Sequence, residues 1–329
     1  MKSYVKIKEI AIYHPDHFID NDYYINHFDQ KGKDIRRLLQ HLGRKRRYRI
    51  NRPGENSITM AIASCKEALQ KAGLTGKDID LIIFSTQVPE QMFPMNAMFI
   101  HQAVGGKNEA LAFDLNANCS GMTIAVEQAS RMMQSAPDIR RALVIGSDQL
   151  SPILSPDDEI AYPLFSDLSV SVILEKTEEQ TGFIDAVHYI DSTDPTNMTF
   201  PPRGFSGMLR NRNDEDFYLR TYPLDDSDMF PHVYESIRTM LKKHHLSPAN
   251  VKCCFSQSNK ANIEKIRREI GFTPDQMFFV GDKFGYSGTS SPFLALYEGI
   301  KAGKIRRGDY ILFWTVGTGY QFITMLFRY

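Results

Sequence analysis

The sequence carries no net charge, with 39 Lys and Arg set against 39 Asp and Glu in 329 residues. A chain so balanced offers no general electrostatic attraction to nucleic acid, and no nucleic-acid partner is expected. Cysteine is scarce. The four that occur, Cys65, Cys119, Cys253 and Cys254, show no C-x-x-C spacing and no metal-ligand pattern, so no metal is expected. Long apolar runs are missing too. None approaches the roughly 20 residues that a bilayer-spanning helix needs. The opening Met1-Lys-Ser-Tyr-Val-Lys-Ile-Lys8 lacks the apolar stretch of a signal peptide. The expectation is a soluble, cytoplasmic protein of a reducing compartment, long enough for two domains or one duplicated one.

What is present is an alternation of apolar strands and striped helices. Residues 5–13 read as a strand, 21–42 as loosely helical, and Ser57 to Ala72 as a helix stopped by Gly73. Residues 80–86 form a continuous apolar run of the kind found in central parallel strands. A helix over 96–104 follows, then a strand ending at Leu115, a helix over 121–133, and strands over 141–148 and 166–175. The second half repeats the plan: a strand over 250–258, a helix over 261–270 closed by Gly271, a helix over 292–302 and a strand over 309–317. In this repeat Tyr286-Ser287-Gly288 lies where Cys119-Ser120-Gly121 lies in the first half. The predicted class is α/β, with two similar α/β/α halves, mostly parallel sheets covered on both faces, and a division into residues 1–176 and 177–329. The polar stretch 201–228 fits neither half and is expected near the mouth of a site.

Cys119 sits in the turn between the strand and the helix of the first half. A helix N-terminus stabilises an anion there, so the thiol is expected to have a lowered pKa and to act as a nucleophile. The alternative is a small core residue, as expected for Cys253 and Cys254. The basic run 43–49 reads as a solvated loop or as a phosphate-binding rim.

The motifs Asn116-Ala-Asn-Cys119-Ser-Gly121, Asn259-Lys-Ala-Asn262, Lys283-Phe-Gly-Tyr-Ser-Gly288 and Gly317-Thr-Gly-Tyr320, in this order, resemble the thiolase superfamily. The group they most resemble is the β-ketoacyl-acyl-carrier-protein synthase III type. The resemblance implies a thiolase-like fold and acyl transfer from an acyl-CoA or acyl-phosphopantetheine substrate, with no separate cofactor. It implies an acyl-Cys119 thioester, and an oxyanion hole from Cys119 and the Gly317-Thr318-Gly319 turn, with Gly319 as the catalytic glycine. It also implies a dimer, either of like copies or with a related subunit, an acyl carrier protein as a partner, and a place in fatty-acid-like or specialised metabolism.

Departures from the family pattern fall at decisive places. Asn259 stands at the position of the family's histidine and Tyr286 at that of its catalytic asparagine. Asn259 has no proton to exchange near neutral pH. Standard decarboxylative condensation of malonyl units is therefore in question, and transfer to another acceptor is the leading expectation. The alternative is a degenerate structural subunit of a heterodimer. Glu264 replaces a basic carrier-docking residue, Arg37 an adenine-stacking tryptophan. Phe93 is expected at the dimer interface, and Phe230, His232, Asn262 and Thr318 along the substrate tunnel. His188 and Glu90 are weaker candidates for chemistry.

Overall fold

The computed structural model describes residues 3–210, 213–222 and 225–329. In the first half, β1 (Tyr4–Tyr13), β2 (Phe18–Asp20), α1 (Asn21–Asp29), α2 (Arg36–Leu42), β3 (Arg46–Tyr48) and α3 (Ser57–Ala72) lead to β4 (Leu81–Ser85) and α4 (Ala97–Val104). There follow β5 (Leu111–Leu115), α5 (Gly121–Ser135), β6 (Arg141–Asp148) and β7 (Leu168–Thr177). The second half contains β8 (Gly182–Ile190), β9 (Met198–Thr199), α6 (Gly204–Arg210), β10 (Arg220–Thr221), α7 (Met229–Lys243), β11 (Val251–Phe255) and α8 (Lys260–Ile270). It ends with α9 (Gly281–Phe284), α10 (Ser291–Lys301), β12 (Tyr310–Gly317) and β13 (Gln321–Arg328).

The helix boundaries follow local chemistry. Asn56 accepts from the amides of Ile58 and Thr59 to open α3, and Gly73, at φ 65°, ends it. Gly271 ends α8 in the same way at φ 88°. The helical stretch expected over 21–42 breaks into α1 and α2, with Gly32 in the left-handed region between them.

Nine strands form one sheet in the order β11-β12-β13-β8-β1-β7-β6-β4-β5. The halves join where Val5 of β1 pairs with Gly182 of β8. A side chain at Gly182 would run into the Val5 carbonyl, so only glycine fits. The pairing is mixed rather than mostly parallel. β4 runs parallel to β5 and β6, and β11 to β12, whereas β6–β7, β1–β7, β12–β13 and β8–β13 are antiparallel. A short connection such as the one from Gly317 to Gln321 can only reverse the chain, because a parallel pair needs a long crossover.

Helices α5 and α10 share the largest core. Met122, Val126 and Ala129 of the first pack with Phe293, Leu294 and Leu296 of the second between strands from both halves. α3 and α4 cover the outer face of the first half, and α7 and α8 that of the second. The layered, duplicated α/β fold expected from the sequence is thus the observed one.

The internal repeat differs in register from the sequence expectation. Residues Asn118–Ser120 make a single 3₁₀ turn ahead of α5, and Gly288–Ser290 make the same turn ahead of α10. Ser120 (φ −83°, ψ −8°) and Ser290 (φ −83°, ψ −7°) superpose in conformation. The counterpart of Cys119 is therefore Thr289, and Tyr286 lies three residues upstream of it.

Candidate active site

The chain reaches Cys119 through a sharp bend. Asn118 takes φ 50°, a left-handed conformation that asparagine tolerates better than most residues, and this turns the strand into the helix. Gly121 lets the helix start press on its neighbours, since a Cβ there would collide with Ser85 Oγ and come within 3.0 Å of Thr289 Oγ1. Thr289 Oγ1 accepts from the Met122 amide at 2.7 Å, and Thr315 Oγ1 donates to the Cys119 carbonyl at 3.1 Å. The second half thus holds the Cys119 turn of the first from both sides.

Cys119 faces a cavity of about 480 Å³. Its apolar walls include Leu42, Leu164, Met198, Met229 and Trp314, while Tyr286, His41, Asn259, Asn262 and Thr318 supply polar groups. Thr221, Tyr222 and Asp226 also line it, so the polar stretch after residue 201 does border the site.

The thiol has two neighbours. It donates to Gln87 Oε1 at 3.3 Å, and the Tyr286 hydroxyl lies beside it, near enough to stabilise a thiolate. Ser256 Oγ donates to the Tyr286 hydroxyl at 3.4 Å, and the Tyr286 ring stacks on Phe165 with centroids 5.4 Å apart. Burial pushes the Cys119 thiol up to about 12; the Tyr286 hydroxyl opposes this and the Asp148 carboxylate adds to it. The lowered pKa expected at the helix N-terminus is overturned, because the desolvation of a thiolate outweighs the pull of the amides. Burial, followed by the proximity of Cys119, also pushes the Tyr286 phenol well above its ordinary value.

Asn259 and Asn262 lie in the cavity with Cys119 and Tyr286. Asn259 is engaged elsewhere, however: its Oδ1 caps α8 by accepting from the Ala261 amide at 2.9 Å, and its Nδ2 donates to His41 Nε2 at 3.1 Å. Asn262 Nδ2 donates to Asp226 at 2.7 Å. Thr318 lines the cavity and its carbonyl accepts from Asn118 Nδ2 at 3.5 Å.

Four expected residues lie outside this cavity. Gly319 turns the β12–β13 hairpin at φ 76°, where a Cβ would meet only Pro195, whereas a Cβ at Gly317 would come within 3.1 Å of the Ala117 carbonyl, two residues before Cys119. Phe230 is buried in the α7–α8 core with the Lys265 ammonium 3.6 Å from its ring centre, because helical rotation turns it inward; its neighbour Met229 reaches the cavity instead. His232, on the exposed face of α7, stacks on Tyr189 at 4.3 Å and borders a separate acidic cavity. Phe93 is 89% exposed.

The basic run 43–49 is neither a solvated loop nor a rim throughout, since Arg44, Arg47 and Arg49 are buried. Arg44 sits behind Tyr286, its guanidinium 5.9 Å from the ring centre, and donates to the Ser258 carbonyl. Burial lowers its pKa to about 9, with Arg47 adding to the effect. His188 pairs with Glu127 at 2.8 Å, and Glu264 with Arg267 at 2.8 Å. Sequence reasoning missed Gln87, His41 and Met229, and saw Arg44 only as part of the basic run. The position of Gln87 just beyond the end of a parallel strand, where such sheets place their sites, was an available signal. Among the described residues no helix is long and apolar enough to cross a membrane, and no cluster of three or more His, Cys, Asp or Glu could hold a metal.

The sequence matches the family described as 3-Oxoacyl-[acyl-carrier-protein (ACP)] synthase III over residues 113–192, and the C-terminal part of that family over residues 241–329. It is 30% identical over 320 residues to a Clostridium botulinum β-ketoacyl-[acyl-carrier-protein] synthase III, covering 94% of each chain. It is 28% identical over 332 residues to the Solibacter usitatus protein of the same name, covering 98% of each. The crystal structure of 3-oxoacyl-[acyl-carrier-protein] synthase III from Aquifex aeolicus superposes with a TM-score of 0.86 at 26% identity, covering 99% of this chain and 100% of the other.

Proposed function

This chain belongs to the 3-oxoacyl-[acyl-carrier-protein] synthase III family of acyl-transferring synthases, and on that footing we propose that it carries its acyl group on Cys119. The observation that carries this reading is a buried thiol at a helix start, facing a cavity that it shares with Tyr286. An acyl-CoA, or an acyl-phosphopantetheine on a carrier protein, threads the cavity with its thioester at Cys119. The S–H bond breaks and a new S–C bond forms. The C–S bond of the donor breaks, and the released thiol leaves with the proton. Because the resting thiol is protonated, attack and proton transfer are concerted within the occupied, water-free cavity. The Cys119 amide and the backbone at Gly317 meet the carbonyl oxygen as charge develops on it.

The second step differs from the family pattern. The Asn259 side chain caps a helix and binds His41, and Tyr286, which the resemblance sets at the position of the family's asparagine, lies beside Cys119. This pair supports transfer to an acceptor that needs no histidine to generate it, such as an amine, a hydroxyl or an already activated carbanion. The basic residues of α8 support a phosphorylated or acidic carrier at the mouth. The exposure of Phe93, three residues before the Asn96 that bonds Asp114 of the edge strand β5, supports pairing with a second copy or a related subunit.

Intact-protein mass after incubation with acyl-CoA thioesters of different chain lengths, alongside Cys119→Ala, tests the reading. A gain of one acyl group, absent in the variant, supports it and names the donor. No adduct from any donor on a folded protein favours the structural-subunit alternative, to which the altered position 259 lends weight.

A further inference from the structure

Gln87 lies between Cys119 and a buried carboxylate. Its Oε1 accepts from the thiol at 3.3 Å, and its Nε2 donates to Asp148 Oδ2 at 2.8 Å. Asp148 is fully buried and collects four donors: the Gln87 amide at 2.8 Å and Thr86 Oγ1 at 3.1 Å on Oδ1, and Gln87 Nε2 and the Thr289 amide, at 2.9 Å, on Oδ2. A carboxylate only accepts, so the Gln87 amide must present its nitrogen to Asp148 and its oxygen to the thiol. A flipped amide would set oxygen against oxygen. The backbone carbonyl of Gln87 accepts from Asn116 Nδ2 at 3.1 Å. Space for this arrangement comes from Gly288, at φ 57°, where a Cβ would run into both Asp148 Oδ2 and Gln87 Nε2.

We propose that Gln87 is a positioning residue for Cys119. Locked by Asp148, it keeps the resting thiol protonated and aimed in one direction until a thioester enters the cavity. An acceptor at the thiol favours S–H over S⁻, and a single S–H direction fixes the lone pair that attacks. The titratable and charged groups facing this thiol are Tyr286 and Asp148, with Arg44 behind the Tyr286 ring. The inference deepens the acyl-Cys119 reading and rests on it for the role in loading.

The test follows alkylation of Cys119 by iodoacetamide, read by intact mass from pH 7 to 10.5. Wild type, Gln87→Leu and Gln87→Glu are compared, and Cys119→Ala supplies the background from the other cysteines. Loss of the acceptor in Gln87→Leu is expected to shift the rate profile down by about one pH unit. The added carboxyl in Gln87→Glu is expected to shift it up by about as much. Acyl loading at pH 7 in Gln87→Leu should nevertheless fall about tenfold, since orientation is lost. A thiol that alkylates faster but acylates more slowly is a combination that general loosening of the fold does not produce. Profiles of both variants superimposing on wild type would overturn the proposal. If no donor acylates the wild type, the functional reading fails while the alkylation profiles still decide whether Gln87 governs the thiol. If Gln87→Leu does not fold, Gln87→Glu supplies the same decision.

Discussion

The hydroxyl of Tyr286 lies beside the thiol of Cys119 and favours its thiolate, although 167 positions in sequence separate them. The contact crosses the boundary between the halves. It is possible because the phenol ring has a place of its own, stacked on Phe165 and backed by Arg44. Tyr286 therefore does more than narrow the pocket: it brings a donor beside the sulfur proposed to carry the acyl group.

Tyr286→Phe keeps the ring and its stacking and removes only this donor. Acyl loading of Cys119 is expected to slow by about tenfold, the worth of one buried hydrogen bond. Thermal stability should change little. Single-turnover loading followed by mass, beside a melting curve, checks both. Loading at the wild-type rate would remove Tyr286 from the chemistry.

The buried thiols make the fold sensitive to alkali. Cys65 and Cys119 are each raised from 9.0 to about 12 by burial. Between these values the native state keeps protons that the unfolded state gives up, so stability is full below pH 9 and falls as pH rises toward 12. Each thiol contributes a slope of about 1.4 kcal/mol per pH unit in that window. Urea unfolding between pH 8 and 10.5 should show the decline, and Cys119→Ala should show a shallower one.

Arg44 is buried, and its Nε and Nη1 have no hydrogen-bond partner among the described residues. Arg44→Met fills similar volume without a charge to desolvate, so stability is expected to rise by about 1 kcal/mol. Urea unfolding near neutral pH measures it. A loss of stability instead would show that the guanidinium is a needed counter-charge behind Tyr286.

Asn259→Ala separates a capping role from a chemical one. Loss of the α8 cap should lower stability by about 1 kcal/mol. Acyl loading, which does not draw on the Asn259 side chain, should stay within about twofold of wild type. Loading that collapses while stability holds would return Asn259 to the catalytic set.

Much of the fold was legible because it is local. Apolar runs such as 81–85, the left-handed glycines Gly73 and Gly271, and the strand–Cys119–helix turn each depend on residues a few positions apart, and propensity and periodicity report those directly. The duplication was legible as well, but its register was not. Both Tyr286-Ser-Gly and Gly288-Thr-Ser resemble a nucleophile turn on paper, and only the backbone angles at Ser120 and Ser290 choose between them.

Sequence alone determined the layered α/β architecture and singled out Cys119, since strand and helix periods and a cysteine at a helix start are properties of short segments. Tertiary structure alone decided what the cysteine meets and how it titrates. Gln87, Asp148 and Tyr286 converge on it from three separate segments, Phe230 turns into the core while Met229 turns out, and three arginines of a basic run are buried. Burial and convergence are sums over the whole packed chain, and the free energy of a thiolate depends on those sums more than on the helix that the thiol begins.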